Sequence, residues 1–333
     1  MDAELIFVVF IVAVALLFDF VNGFHDAANS VATIVSTRVL SPGVAVLWAA
    51  FFNFVAAFGL GVHVANTIGN GIIDTGVVDE KLILSALIGA IVWDIITWRY
   101  GLPTSSSHAL IGGLIGAAIA SAGADAVIRS GVQKVGAFIV ISPMIGFIAA
   151  SFLGLAILNL YQRVAPSTAQ GIFRRLQLVS AAAYSLGHGT NDAQKTMGVI
   201  AVLLFTTGHL GGEFHVPLWV ILSAHAAIAL GTVFGGWRIV RTMGMRITKL
   251  EPQDGFAAEA ASAAAILFAS QVGIPVSTTH TIAGGIVGVG STKRFSAVRW
   301  GVAYNIVLAW ILTIPVSGVI AWVTFQVAEA LQQ

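Results

Sequence analysis

The sequence has no cysteine, and only 9% of its 333 residues are charged. The first absence excludes a disulfide scaffold, thiol catalysis and Cys-ligated zinc. The second excludes an ordinary soluble surface, since soluble domains carry about 25% charged residues. Neither sign of charge dominates, with 16 Lys and Arg against 15 Asp and Glu, so the basic excess of a nucleic-acid binder is also missing. What is present is apolar: 57% hydrophobic residues and a mean hydropathy of +0.92. Apolar runs cover nearly the whole chain with no polar linker between them, and a polytopic membrane protein is the class that fits. The first run follows Asp2 and Glu4 instead of a basic stretch, and no small-residue cleavage site ends it, so it reads as a retained helix.

Spanning helices need about 20 apolar residues. Ordinary candidates are residues 44–62, 82–98, 135–158, 217–234, 256–272 and 301–325. Residues 5–37 and 178–207 are too long for one crossing and are interrupted midway by polar sequence, whereas 108–122 and 280–290 are short and rich in Gly and Ala. These four irregular segments are where chemistry is expected. Ten passes with an outside N-terminus put twelve Lys and Arg in inner connections, including Arg38, Arg174, Arg238, Lys249 and Arg299. Only Lys81, Arg129 and Lys134 fall outside. Because Lys and Arg concentrate in cytoplasmic loops, both termini are expected on the extracellular or periplasmic face of the cell membrane.

The chain also repeats itself. Gly23-Phe-His-Asp-Ala-Ala-Asn-Ser30 aligns with Gly189-Thr-Asn-Asp-Ala-Gln-Lys-Thr196 at an offset of 166. The sixteen residues from Gly101 align with those from Gly273 at an offset of 172, with 7 identities and mostly Leu/Ile or Ser/Thr exchanges elsewhere. Five passes per half, an odd number, would enter the second half upside down. The expected fold is therefore an all-α polytopic membrane protein of two inverted repeats with broken helices and half-helix hairpins, about ten segments in all. Residues 1–160 form the first repeat, 161–177 a cytoplasmic connection and 178–333 the second. Such inverted halves, broken at matching places, are the layout of secondary transporters with a midplane site.

Each Pro-x-Ser-Ser/Thr-Ser/Thr-His segment precedes a short Gly-rich helix. Proline stops the helix before it, and hydroxyl residues cap the one after it. A helix N-terminus offers free N–H groups and a partial positive charge, which suits an oxyanion. Ser105, Ser106 and Ser107 with Ser277, Thr278 and Thr279 add six neutral hydroxyls, and neutral donors let an anion leave again where arginines would hold it. Simple helix capping is the plainer alternative. Asp26 and Asp192 head the other motif pair, and carboxylates at membrane depth are functional candidates by default. They cannot attract an anion, so cation or proton handling is the consistent role, with Asn22, Asn29 and Asn191 as nearby amide oxygens. Lys195, in the place of Asn29 in the second copy, either pairs with a buried aspartate or meets the anion. Asp19 lies seven residues before Asp26 on the same helical face and extends a proton path. Asp94 and Glu259 have no acidic partner in the other half, which leaves coupling and structural roles equally open. His108 and His280 are expected to fix loops by hydrogen bonding, and the Gly112-Gly113 and Gly284-Gly285 pairs to permit close helix approach. No metal site is expected, and no resident cofactor. A Ser–His hydrolase is disfavoured, since no Gly-x-Ser-x-Gly turn is present.

Asn22-Gly-Phe-His-Asp-Ala-Ala-Asn-Ser30 and His188-Gly-Thr-Asn-Asp-Ala-Gln-Lys195 resemble the paired signatures of the inorganic phosphate transporter (PiT) family, and the two hydroxyl tips resemble that family's hairpin motifs. The resemblance spans nearly the whole chain. It implies uptake of inorganic phosphate coupled to a cation, with the Ser/Thr tips and the Asn/Asp signatures as phosphate and cation sites, and no enzymatic activity. Sodium-driven members read Gly-Ala-Asn-Asp in the first signature, whereas Phe24 and His25 precede Asp26 here. That wording resembles the bacterial low-affinity branch, which is proton-driven and carries a metal–phosphate complex. It makes H⁺ the expected co-transported ion over Na⁺, with His25 in the coupling role. The family also contains sulfate carriers, so sulfate or another oxyanion is the nearest alternative substrate. A homo-oligomer in the lipid bilayer and a cytoplasmic regulatory protein on the basic inner loops are the remaining expected partners.

Overall fold

The computed structural model describes residues 3–59 and 61–331. Twelve α-helices are found among them: α1 (Ala3–Ser36), α2 (Pro42–Val55), α3 (His63–Gly71), α4 (Glu80–Tyr100), α5 (Ser106–Ala122), α6 (Arg129–Tyr161), α7 (Pro166–Thr206), α8 (Leu218–Phe234), α9 (Trp237–Arg241), α10 (Pro252–Gln271), α11 (Thr278–Lys293) and α12 (Trp300–Ala330). No strand occurs among the described residues, only one isolated bridge between Ile73 and Val127. By length and apolarity alone α1, α4, α6 and α12 qualify as membrane spans, and α8 with residues 237–246 makes a fifth across a 62° bend. That criterion stops short of ten segments: α2, α5 and α11 are short, and α7 and α10 carry polar side chains.

The outer wall is built for lipid. On α6, Val140, Met144, Ile148, Phe152 and Leu155 recur every three or four residues and are all exposed, a stripe that water would penalise and a bilayer accepts. Polar residues point inward instead, and among the fully buried side chains are Asp19, Asp26, Asp94, Asp192, Lys195 and Glu259.

Repeat-related helices exchange their packing partners. A Cβ on Gly116 of α5 would strike the Gly318 carbonyl of α12, and one on Gly288 of α11 would strike the Phe147 carbonyl of α6. Likewise Gly23 of α1 lies on the Ile228 backbone of α8, and Gly189 of α7 on the Asn53 backbone of α2. In each case a glycine of one half lets its helix touch the backbone of the other half, so the halves interlock. Pro143 inside α6 and Pro315 inside α12 also correspond at the offset of 172.

The helices break at the two tips, as their prolines and hydroxyl caps predict, but not at the signatures. Both signatures remain helical, within a 34-residue α1 and a 41-residue α7. The backbone leaves the helix instead at 101–105, at 235–236 and at 272–277. A glycine with positive φ stands in each of these breaks, Gly101 at +67°, Gly235 at +67° and Gly273 at +70°. Within the signatures Asn29, Asp26, Asp192 and Asn191 find side-chain partners on other helices, described next.

Candidate functional site

Each tip begins with a hydroxyl cap. Ser105 Oγ accepts from the His108 N–H at 3.3 Å, and Ser277 Oγ accepts from the His280 N–H at 3.2 Å. Two of the six candidate hydroxyls therefore serve the plain capping role. The remaining four are buried, and three of them turn toward the signature aspartates. Thr278 Oγ1 donates to Asp192 Oδ2 at 2.8 Å, Ser107 Oγ donates to Asp192 Oδ1 at 3.3 Å, and Thr279 Oγ1 reaches Asp26 Oδ2 at 3.4 Å. Asn29 Nδ2 donates to Thr279 Oγ1 at 2.8 Å. The geometry thus brings both tips and both signatures to one place.

Lys195 closes the cluster. Its ammonium donates to Asp192 Oδ1 at 2.5 Å, to Ser107 Oγ at 2.5 Å and to the Val276 carbonyl at 3.0 Å. The buried ion pair that the sequence left open is therefore formed, and it also anchors the start of the second tip. On the other carboxylate, His25 Nδ1 lies 2.7 Å from Asp26 Oδ1, and His25 Nε2 lies 3.1 Å from the Thr97 hydroxyl.

Several contributors were not among the candidate site residues. His188 Nε2 lies 3.1 Å from Asp192 Oδ2, while its Nδ1 faces Asn53 Oδ1 at 3.2 Å, and Asn53 in turn donates to Thr232. Tyr184 donates to the Thr278 carbonyl at 3.1 Å and steadies the second tip. His188 and Asp192 are spaced i, i+4, a carboxylate–histidine spacing that the metal-free reading of the sequence passed over. With Asp26 they offer ligand atoms all within 4.8 Å of one another, a set of two oxygens and one nitrogen that suits a divalent cation.

The remaining predicted residues sit at the edge of this centre. Asn191 donates to Ser270 at 2.9 Å, so its amide serves the α7–α10 contact. Asp19 and Asn22 are buried on α1, and Thr196 of the second signature faces Asp19. Asp94 of α4 is buried beside His25, Asp26 and Ser106. Glu259 is different. Its carboxylate accepts from Thr33 and Ser180, both at 2.5 Å, and from Gln177 at 3.0 Å, away from the two tips. The tip histidines meet ring to ring at 4.8 Å, and His280 stacks on Trp310 at 3.9 Å. They join the tips by packing, where hydrogen bonding was expected.

Of four buried carboxylates, Asp192 pairs with Lys195 and His188 and Asp26 with His25, while Asp19 and Asp94 have no hydrogen-bond partner. Buried charge is costly unless neutralised, so this centre calls for protons or cations along with any anion that its hydroxyls bind. Comparison with known proteins fits that chemistry. The phosphate transporter family profile matches residues 22–170 and 158–321.

The chain belongs to the phosphate transporter family.

Relatives of this family cover the chain from end to end. A protein of Rhizobium meliloti (strain 1021), named Probable low-affinity inorganic phosphate transporter, is 57% identical over 99% of both chains. One of the same name from Bacillus subtilis (strain 168) is 42% identical over 98% of both. Among solved structures, one titled "The sodium-dependent phosphate transporter" superposes with a TM-score of 0.85 at 26% identity, covering 97% of this chain and 99% of that one. As a member of the phosphate transporter family the chain is a multi-pass membrane protein and a transporter, not an enzyme.

Proposed function

We propose that the protein imports inorganic phosphate by symport with a cation, H⁺ in preference to Na⁺. The reading rests on one observation: the two hydroxyl tips and the two signature aspartates meet in a single buried cluster. The neutral donors Ser106, Ser107, Thr278 and Thr279 with the Lys195 ammonium bind the anion, and Asp26 and Asp192 carry the cation. Moving one negative charge inward against 100 mV costs about 2.3 kcal/mol, and a divalent phosphate about twice that. Accumulation therefore needs co-transported positive charge, which buried carboxylates carry. Contact between His25 and Asp26 favours the proton, because an imidazole titrates near neutral pH. Asp26, His188 and Asp192 also fit a divalent ion riding with the phosphate as a metal–phosphate complex. We further infer that the halves lie inverted in the cell membrane with both termini outside, following the split of Lys and Arg between the loops.

Reconstituted protein tests this directly. Labelled phosphate should accumulate in proteoliposomes under an imposed pH gradient without sodium, and excess sulfate should leave the rate unchanged. Strict sodium dependence would return the site to Na⁺ coupling, and competition by sulfate would move the substrate to a broader oxyanion class.

A further inference from the structure

The basic side of the molecule holds a second polar cavity of about 510 Å³ that the central cluster does not use. Arg38, Lys249 and Arg299 line it against a single carboxylate, Glu251, and the hydroxyls of Ser36, Thr37 and Thr248 add neutral donors. The carboxylate is partly spent: Gln253 donates to Glu251 at 2.6 Å, and Lys293 lies 3.9 Å from it. All three cations are exposed at its mouth.

This wall is held in place by its backbone. Arg38 has φ +58°, a left-handed conformation that a non-glycine residue adopts at a cost. Its carbonyl accepts from the Arg174 guanidinium at 2.8 Å, which ties the end of α1 to α7. On the opposite wall the Arg299 N–H donates to the Ile247 carbonyl at 2.9 Å, and Thr248 Oγ1 donates to the Ala297 carbonyl at 3.1 Å. Both links hold the segments bearing Lys249 and Arg299 side by side.

A polar lane leads from the cavity into the protein. Thr37 Oγ1 donates to Gln177 Oε1 at 2.9 Å, Gln177 donates to Glu259, and Glu259 accepts from Thr33 and Ser180. Thr33 lies seven residues beyond Asp26, two turns along the same face of α1. The repeat-related positions on the other side are Leu203 for Thr37, Ile11 for Gln177, Leu87 for Glu259 and Val199 for Thr33. All four are buried in the apolar core. The polar lane thus exists on the basic side only.

We propose that this cavity is a second oxyanion site, a vestibule at the cytoplasmic mouth that binds free inorganic phosphate. Three cations around one concave mouth concentrate anions there, and exposed flexible ammonium and guanidinium groups release them again. The phosphate group of an anionic lipid shares this chemistry, but the cavity's polar floor at Ser36 and Thr37 suits a free ion.

The cysteine-free chain allows a clean test. Gln170→Cys places one thiol in the cavity wall, to be modified from the cytoplasmic face of phosphatidylcholine vesicles by impermeant methanethiosulfonate reagents. The anionic reagent should outpace the cationic one by about tenfold. Inorganic phosphate should protect the thiol where chloride of equal ionic strength does not. Adding Lys249→Gln and Arg299→Gln should abolish both effects, and the charge-keeping pair Lys249→Arg with Arg299→Lys should restore them. Phosphate bound only at the central cluster would protect the neutralised variant equally, and that result overturns the proposal. So does protection that appears only when phosphatidylglycerol is added to the vesicles, which assigns the site to lipid. The test reads binding at the mouth and stands apart from the coupling ion and the transport rate.

Discussion

Asn29 Nδ2 donates a 2.8 Å hydrogen bond to Thr279 Oγ1, joining residues 250 positions apart. That one bond ties the first signature to the second tip, and the same hydroxyl reaches Asp26 at 3.4 Å. The proposed binding centre thus joins residues far apart in the chain, and loosening either side should disturb phosphate and cation binding together.

The Asp192–Lys195 pair should be far more sensitive to single than to double substitution. Both side chains are buried, and breaking a buried pair by removing one partner costs about 3–5 kcal/mol because a lone charge remains. Lys195→Met should lower the unfolding midpoint in detergent sharply, and Lys195→Met with Asp192→Asn should recover much of it. A double variant no more stable than Lys195→Met would contradict this account of the pair.

Coupling should pass through His25. His25→Asn keeps a polar group beside Asp26 and Thr97 but removes the titrating ring. Uptake driven by a pH gradient should fall steeply while labelled phosphate still exchanges across the membrane. Equal driven uptake in the variant and the parent would exclude the imidazole from proton handling.

Interlocking of the halves makes its own demand. Gly116→Val would push a side chain into the Gly318 carbonyl, whereas a Cβ at Gly43 meets nothing within 4 Å. Overpacking at the first should cost about 1–3 kcal/mol or more, and Gly43→Ala should stay within about 0.5 kcal/mol of the parent. Thermal unfolding of the two variants side by side decides it.

Orientation can be read with single cysteines. A thiol at Gly171, beside Arg174 and Arg175, should react only from the cytoplasmic side, and one at Gly212 only from outside. Ready labelling of both from one side would defeat the inverted arrangement.

Much of this was legible in the sequence because the repeat displays it twice. The duplicated tips located Ser106, Ser107, Thr278 and Thr279, and the duplicated signatures located Asp26 and Asp192. The glycine pairs foretold close helix contact. What one chain of letters does not carry is pairing across the fold. Nothing near Asn53 or Tyr184 in sequence announces that they reach His188 and the Thr278 carbonyl, since packing between distant helices sets those contacts. Polar residues within apolar runs suggested a broken helix in each signature. The backbone stays helical there, and tip side chains meet Asn29 and Asp192. The proline pair Pro143 and Pro315 was a further sign of the repeat in the letters themselves.

The central claim is that the hydroxyl tips bind the anion, and equilibrium binding of labelled phosphate to purified protein tests it most directly. Ser106 Oγ is buried without a hydrogen-bond partner, and Thr278 Oγ1 donates to Asp192 Oδ2 at 2.8 Å. Replacing both with Ala should cost about 0.5–3 kcal/mol per lost donor and weaken phosphate binding accordingly. Unchanged affinity in the double Ser106→Ala, Thr278→Ala variant would contradict the account and place the anion elsewhere.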